Sequence, residues 1–368
     1  MLSRPVAHID LAKLRRNVGI IKAHIPGNQP VLATIKANAY GHGLVPIAQA
    51  LAQTGITWLA VATGEEAQAL LRAGIDTNIL VLTPVLDAAL VSEIGAQGVR
   101  LTVTDEHVLS VYEASGLGSE LHLHLKVDTG MGRLGWRPND PGLVSTAIHA
   151  AQRHTLEGCF THFARSDEAD GEAATQGQLA WFAEALEQLA FAGITGLIRH
   201  AANTAATFAY PETHLDMVRS GIALYGYNPS SDVHSRHGTL EPIAHVEAPL
   251  VSSRPVPAGT TVGYGGRFVA EQDGFLHTVR FGYADGYPRV LSAPPLVTAR
   301  GQLYAVTGRV CMDQMMFMSE EELPLGLPIT MWGGPGFSAD QLGALAGTVS
   351  YEILTSLGNR VDRHYVNG

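Results

Sequence analysis

The sequence predicts an α/β fold with a second, mainly β part: an N-terminal (β/α)8 TIM-type barrel followed by a C-terminal β-strand domain. Three observations carry this. Eight short apolar runs alternate with helix-compatible sequence as far as residue 222. Residues able to do chemistry fall at the C-terminal ends of those runs, the rim where a barrel carries its active site. Past a polar stretch near 228–240, the pattern changes to short strand-like pieces separated by turn residues.

The elements follow in order. Asp10 is placed to cap a helix whose apolar face is Leu11, Leu14, Val18, Ile21 and Ile25. The run VLATI at 31–35 is short and apolar, as a strand buried in a parallel sheet should be. Further strands are expected at 58–62, 78–83, 99–104, 121–127, 157–163, 196–202 and 216–222. Thr63 and Glu66 have the spacing of a capping box after the second of these. A doubly wound sheet fits less well, because the first strand lacks a dinucleotide-type glycine fingerprint. In the C-terminal part, TVR at 278–280, GQLYAVTGRV at 301–310 and LGLPIT at 325–330 read as strands, and 341–357 as a terminal helix.

Composition removes several functional classes. The 368 residues are 46% hydrophobic and 16% charged, which describes a densely packed chain and not a disordered one. A net charge of -10 with no basic block lacks the electrostatic footprint of a nucleic-acid binder. Cys159 and Cys311 cannot build a disulfide framework, so a reducing compartment is expected. The N-terminus lacks the apolar core of a signal peptide, and no run has the length of a membrane span. The expectation is a soluble cytoplasmic protein.

Lysine is confined to positions 13, 22, 36 and 126. Lys36 and Lys126 lie in or beside apolar strands, where an amine needs a partner or a covalent bond. Lys36, in TIKANAYGHG at 34–43, is a candidate imine-forming nucleophile, with Tyr40 nearby and Gly41 and Gly43 allowing a tight turn; a structural ion pair is the plainer alternative. In LHLHLKVDTGMGRLG at 121–135, period two puts His122, His124, Lys126 and Asp128 on one face, which calls for a hydrogen-bond network. Arg133 follows in a glycine-containing loop and suits a carboxylate or phenolate. No third ligand accompanies His122 and His124, so no metal is expected.

His162 can lie flat against a planar ring or be a satisfied core histidine. HAANTAA at 200–206, with His200, Asn203 and Thr204, and VRSGI at 218–222, with Arg219, Ser220, Gly221 and Ile222, offer hydroxyl and N–H donors suited to phosphate. In the second domain Tyr264 lies among glycines, FGYADGYPR at 281–289 supplies Tyr283 and Tyr287, and Cys311, Met312 and Asp313 are consecutive; turns, an aromatic cluster and a core strand are the plainer readings.

Taken together, IKANAYGHG at 35–43, KVDTGMGRLG at 126–135, THFA at 161–164, HAANTAA at 200–206, VRSGIALYG at 218–226, VGYGGRF at 262–268, GYADGYPR at 282–289 and CMDQ at 311–314 closely resemble the alanine racemases, bacterial enzymes dependent on pyridoxal 5′-phosphate. The resemblance spans essentially the whole chain. It implies a barrel over 9–230, a β domain over 231–368 with residues 1–8 as an associated N-terminal strand, and a head-to-tail homodimer with shared active sites. It also implies interconversion of L-alanine and D-alanine, supplying D-alanine for peptidoglycan or alanine for catabolism.

By the same resemblance Lys36 carries the cofactor as an imine and acts as one acid/base, on the D-alanine side. Tyr264 of the partner subunit is the other, on the L-alanine side. His162 packs on the pyridine ring and Arg219 donates to its nitrogen. Tyr40, Asn203, Thr204, Gly221, Ile222 and Tyr351 complete the cofactor set, mostly at the phosphate. Arg133 and Met312 meet the substrate carboxylate. Lys126 matches a lysine often carbamylated in the family and paired with that arginine. His200, Tyr283, Cys311 and Asp313 take supporting positions or narrow the entrance. Thr204 stands where serine is frequent and keeps the hydroxyl. A broad-specificity or serine racemase, a barrel decarboxylase using the same cofactor, and a non-enzymatic cofactor-binding protein share parts of this pattern.

Overall fold

The computed structural model describes residues 2–291, 296–299, 301–334 and 336–368. The chain forms two compact units. One comprises Leu14–Ala39 and Leu44–Glu241; the other comprises the residues up to Lys13, Tyr40–Gly43, and Pro242 onward.

In the first unit all eight anticipated runs form parallel strands. After an N-terminal strand β1 (Val6–Asp10), which belongs to the other unit, come β2 (Val31–Thr34), β3 (Trp58–Val61), β4 (Asn78–Val81) and β5 (Arg100–Val103). Then follow β6 (His122–Lys126), β7 (Thr155–Phe160), β8 (Ile198–His200) and β9 (Val218–Ser220). The order β8-β7-β6-β5-β4-β3-β2-β9 is that of a barrel. Between β8 and β9 the ladder gives way to two bonds, Asp216 N–H to Arg199 O (3.0 Å) and Arg219 N–H to Ala202 O (3.0 Å). Leu32, Trp58, Ala60, Leu80 and Met217 pack into one buried cluster.

The helix Leu11–Ala23 begins as anticipated: Asp10 Oδ1 accepts from the amides of Ala12 (2.9 Å) and Lys13 (3.1 Å). Leu11, Leu14, Val18, Ile21 and Ile25 are all buried. Thr63 caps the helix Gly64–Arg72 by accepting from Glu66 N at 3.3 Å. The second half of the expected capping box does not form. Glu66 reaches past Thr63, and its two oxygens take the amides of Ala62 (2.8 Å) and Asn38 (3.1 Å). The segment near 228–240 stays with the barrel, because Glu241 bonds Arg16 (2.7 Å) and its carbonyl accepts from Asn17 (2.9 Å).

The second unit holds β10 (Ala244–Val256), β11 (Thr261–Val262), β12 (Phe268–Val269), β13 (Gly274–Val279), β14 (Leu296–Ala299), β15 (Gln302–Ala305), β16 (Met315–Ser319), β17 (Pro328–Trp332) and β18 (Asp362–Val366). β1 lies between β10, antiparallel, and β18, parallel. The single terminal helix expected over 341–357 is two helices, Ala339–Ala346 and Ser350–Thr355. Gly347 breaks it at φ 72°, a left-handed C-cap that glycine adopts without strain.

Candidate active site

Lys36 leaves β2 into a turn of unusual hand. Ala37, Asn38, Ala39 and Tyr40 all have φ between 51° and 54°, a left-handed turn that begins before the two glycines expected to supply it. Non-glycine residues pay ~1–2 kcal/mol each for this conformation. The turn is held by Ala39 N–H to Ile35 O (2.8 Å), by Glu66 on the Asn38 amide, and by Asn38 Oδ1 on the Leu44 amide (2.8 Å). Burial, then Arg133, lowers the pKa of Lys36, with Glu66 opposing. An amine so treated is a better nucleophile and base at neutral pH.

Arg219, from β9, is buried and almost fully engaged. Its Nη1 donates to His200 O (2.8 Å) and His200 Nδ1 (3.1 Å). Its Nη2 donates to Thr161 O (2.6 Å) and Ala201 O (2.9 Å), and lies 3.4 Å from His162 Nδ1. Among the described residues no acceptor lies on its Nε–H. Burial, then Arg133, lowers Arg219 to about 9, which leaves it protonated at neutral pH. His162, just past β7, is held well below its ordinary pKa by burial and by Arg219, Arg133, Lys126 and Lys36, so its imidazole is neutral.

Of the two histidines anticipated in a network on β6, only His124 enters one; His122 Nδ1 is buried without a hydrogen-bond partner among the described residues, 3.7 Å from Glu157 Oε1. His124 Nδ1 is 3.0 Å from His200 Nε2, and His124 Nε2 is 3.3 Å from Glu157 Oε2. Arg100 in turn donates to both Glu157 oxygens (2.9 and 3.2 Å). A continuous chain therefore runs from Arg100 to Arg219. Glu157 and Arg100 were not singled out in the sequence, since an acid and a base on different strands carry no mutual signal until the strands are laid side by side. Phe160 stacks on His200 with centroids 4.8 Å apart, and its ring also faces Lys126 and Arg219.

Lys126 Nζ donates to Val127 O at 2.6 Å. Burial and Arg219 lower it to about 8, with Asp128 opposing. Burial alone would raise the Asp128 carboxyl; the amides of Gly132 and Gly130 (3.0 Å each) and Lys126 hold it below its ordinary value. Arg133 is exposed in the loop beyond. Thr204 Oγ1 accepts from Gly221 N at 2.9 Å, leaving its own O–H to donate. Ile222 follows Gly221 at the start of a 3-10 turn. Asn203 Oδ1 is used locally, accepting from Ala206 N and Ser166 Oγ (2.9 Å each) to cap the helix Thr204–Ala209.

The remaining candidates lie in the second unit. Tyr264 is 69% exposed, presented by Gly263 at φ 75° and Gly265 at φ 77°. With Cys311, Met312, Asp313 and Gln314 it lines one open cleft. Tyr283 is tied to this loop through its amide on Cys311 O (3.1 Å), and Ala284 N bonds Met312 O (3.0 Å). Gly282 has no room for a Cβ against the Met312 and Cys311 carbonyls. Asp313 pairs with Arg360 at 2.6 Å. Burial, then Asp313, raises the Cys311 thiol, which does not mark it as a nucleophile. Tyr40 and Tyr351 have ring centroids 6.0 Å apart.

The barrel rim thus carries four cationic side chains, Lys36, Lys126, Arg133 and Arg219, all acting on a neutral histidine. It adds a guanidinium N–H without an acceptor and a buried Ser220 hydroxyl without a partner among the described residues. Such a rim fits an anionic, planar, nitrogen-containing cofactor that reacts with an amine, and the fold and site define a barrel enzyme of the pyridoxal-phosphate class. Residues 9–229 match the model of the alanine racemase N-terminal domain, and residues 243–365 that of the alanine racemase C-terminal domain. The alanine racemase of Desulfovibrio desulfuricans is 40% identical over 369 residues, covering 99% of this chain and 98% of the relative. The alanine racemase structure from Clostridium difficile 630 superposes with TM-score 0.93 at 31% identity, covering 100% of this chain and 96% of that one. The alanine racemase of Bacillus anthracis with bound L-Ala-P gives 0.92 at 32%, with coverage of 100% and 96%. The chain belongs to the alanine racemase family, a family dependent on pyridoxal 5′-phosphate.

Proposed function

We propose that this chain interconverts L-alanine and D-alanine by two-base proton transfer, as a cytoplasmic homodimer that binds neither nucleic acid nor membrane and supplies D-alanine for peptidoglycan or alanine for catabolism. The observation that carries the chemistry is that the barrel rim holds both Lys36, its amine pKa lowered, and Arg219, whose Nε–H has no acceptor among the described residues. When bound, pyridoxal 5′-phosphate supplies a conjugated electron sink beside the substrate Cα–H. Lys36 would hold it, Arg219 would donate to its ring nitrogen, and His162 would cover its ring. Thr204, Gly221, Ile222, Tyr40 and Tyr351 would hold the phosphate, with Asn203 beside Thr204 in the cofactor set.

Lys36 Nζ exchanges a proton with Cα on one face, and Tyr264 of the partner subunit with Cα on the other. Inversion requires two such groups, because one base returns the proton to the face it came from. Arg133 and Met312 of the partner subunit orient the substrate carboxylate. Arg219 donates a hydrogen bond but keeps its proton, because a guanidinium scarcely ionises. A barrel decarboxylase of the same cofactor class would place an acid there; the groups on this guanidinium are carbonyls and imidazoles. Exposure of Tyr264, Tyr283 and Met312 supports a shared site, since three large side chains left in solvent make a contact surface. Two unpaired cysteines, Cys159 buried and Cys311 half-buried, support a reducing compartment.

Subunit exchange tests this reading. Lys36→Ala and Tyr264→Phe proteins should each be inactive alone, and mixing them should restore up to about half the activity per mixed dimer, one site being complete and the other doubly defective. Verified exchange without recovered racemisation, followed by chiral chromatography of alanine, rejects the shared site.

A further inference from the structure

The second unit carries a cluster of side chains that the proposed racemisation does not use. β1 lies between β10 and β18, and the register sets His8 opposite both His245 and His364. Glu247 is two residues beyond His245 on β10, hence on the same face. Ala7 and Ile9 are fully buried on the other face of β1, so these four side chains share the outer surface of three adjacent strands. His8 and His245 are stacked, with centroids 4.6 Å apart and planes 12° apart, and the His364 ring centroid is 5.6 Å from that of His8.

We propose that His8, His245 and Glu247, with His364 adjacent, bind a divalent cation of the zinc type. One donor atom from each of His8, His245 and Glu247 lies within 4.8 Å of the others. His8 Nε2 and Glu247 Oε2 are 3.3 Å apart, yet His8 Nε2 is buried without a hydrogen-bond partner among the described residues. Two donors at that distance whose lone pairs do not point along the line between them are arranged like one edge of a coordination polyhedron. For bonds of about 2.0–2.1 Å a tetrahedral edge is about 3.3 Å. Two imidazoles and a carboxylate form a set typical of zinc sites that keep an open position. His364 can close that position by rotating toward His8. The stacked rings must also turn for both nitrogens to converge, a side-chain adjustment at a half-exposed surface. The ion would tie the N-terminal strand to two C-terminal strands.

Zinc chloride titrated calorimetrically into chelator-treated holoenzyme should bind at one equivalent per chain and raise the thermal midpoint. Glu247→Gln and His245→Gln should each weaken binding at least tenfold and remove most of the midpoint shift, while the metal-free variants keep wild-type racemisation. The proposal is overturned if no stoichiometric binding occurs. It is equally overturned if the His8→Gln/His245→Gln protein, folded as judged by circular dichroism, binds zinc as the parent does.

Discussion

His124 Nδ1 stands 3.0 Å from His200 Nε2, and the proton between them has one place to sit. Arg219 only donates and Glu157, ionised, only accepts. His200 Nδ1 must accept from Arg219, so His200 carries its proton on Nε2 and gives it to His124 Nδ1. His124 then carries its own on Nε2, toward Glu157. The polarity of the chain from Arg219 to Glu157 is set by the chemistry of its two ends. Nitrogen-15 NMR should find both histidines as neutral Nε2–H tautomers at neutral pH, as expected for two imidazoles whose pKa values burial lowers. An Nδ1–H tautomer at either ring would contradict the chain. Glu157→Ala leaves His124 Nε2–H buried without an acceptor and should cost about 1–3 kcal/mol in urea denaturation.

Glu157 also predicts acid behaviour. Burial raises its pKa, but His124 and Arg100 outweigh burial and hold it at about 2, against an ordinary 4.5. A carboxyl depressed on folding contributes stability above its unfolded pKa and loses it as pH falls through the folded value. Between about pH 4.5 and 2 the wild type should therefore lose stability faster than Glu157→Gln. Parallel denaturation midpoints of the two proteins across that window would refute the assignment.

The left-handed turn after Lys36 depends on Glu66, which satisfies two backbone amides at once. Hydrogen bonds to a charged acceptor are worth roughly 1.5–3 kcal/mol each, less where water competes, which is the scale of the strain they offset. Glu66→Ala should lower both stability and the fraction of protein carrying the cofactor chromophore. Glu66→Gln should recover part of each, because its carboxamide oxygen can still accept one amide. Full cofactor occupancy in Glu66→Ala would show that the turn stands without this support.

Lys126 has a pKa of about 8, lowered chiefly by burial and Arg219. Only the neutral amine reacts with carbon dioxide, so carbamate formation should increase as pH rises through that value. With carbon-13 bicarbonate, a carbamate resonance should appear in wild type and be missing in Lys126→Ala. No such signal in active enzyme above pH 8, together with full activity of the variant, would reject a required carbamate.

Much of this molecule was legible in its sequence. Short, largely apolar runs identified every barrel strand: those buried on both faces, such as β2 and β3, leave an unbroken hydrophobic signature, and β6 alternates leucine with polar residues. The placement of Lys36, His162 and Arg219 at strand ends followed from the same pattern. The C-terminal unit was read in pieces, since β10 runs through exposed and buried positions over 13 residues without a regular period, and a helix propensity over 341–357 did not reveal the stop at Gly347. What the sequence by itself determined was local: which residues repeat with which period, and which motifs accompany one another. Only the tertiary structure decided that Glu66 supports the turn at Asn38, that Glu157 lies at the end of a chain of imidazoles, and that His8 lies between His245 and His364. Those relationships join residues distant in the chain. Their energies come from burial and alignment of polar groups, which exist only once strands have taken their neighbours and register.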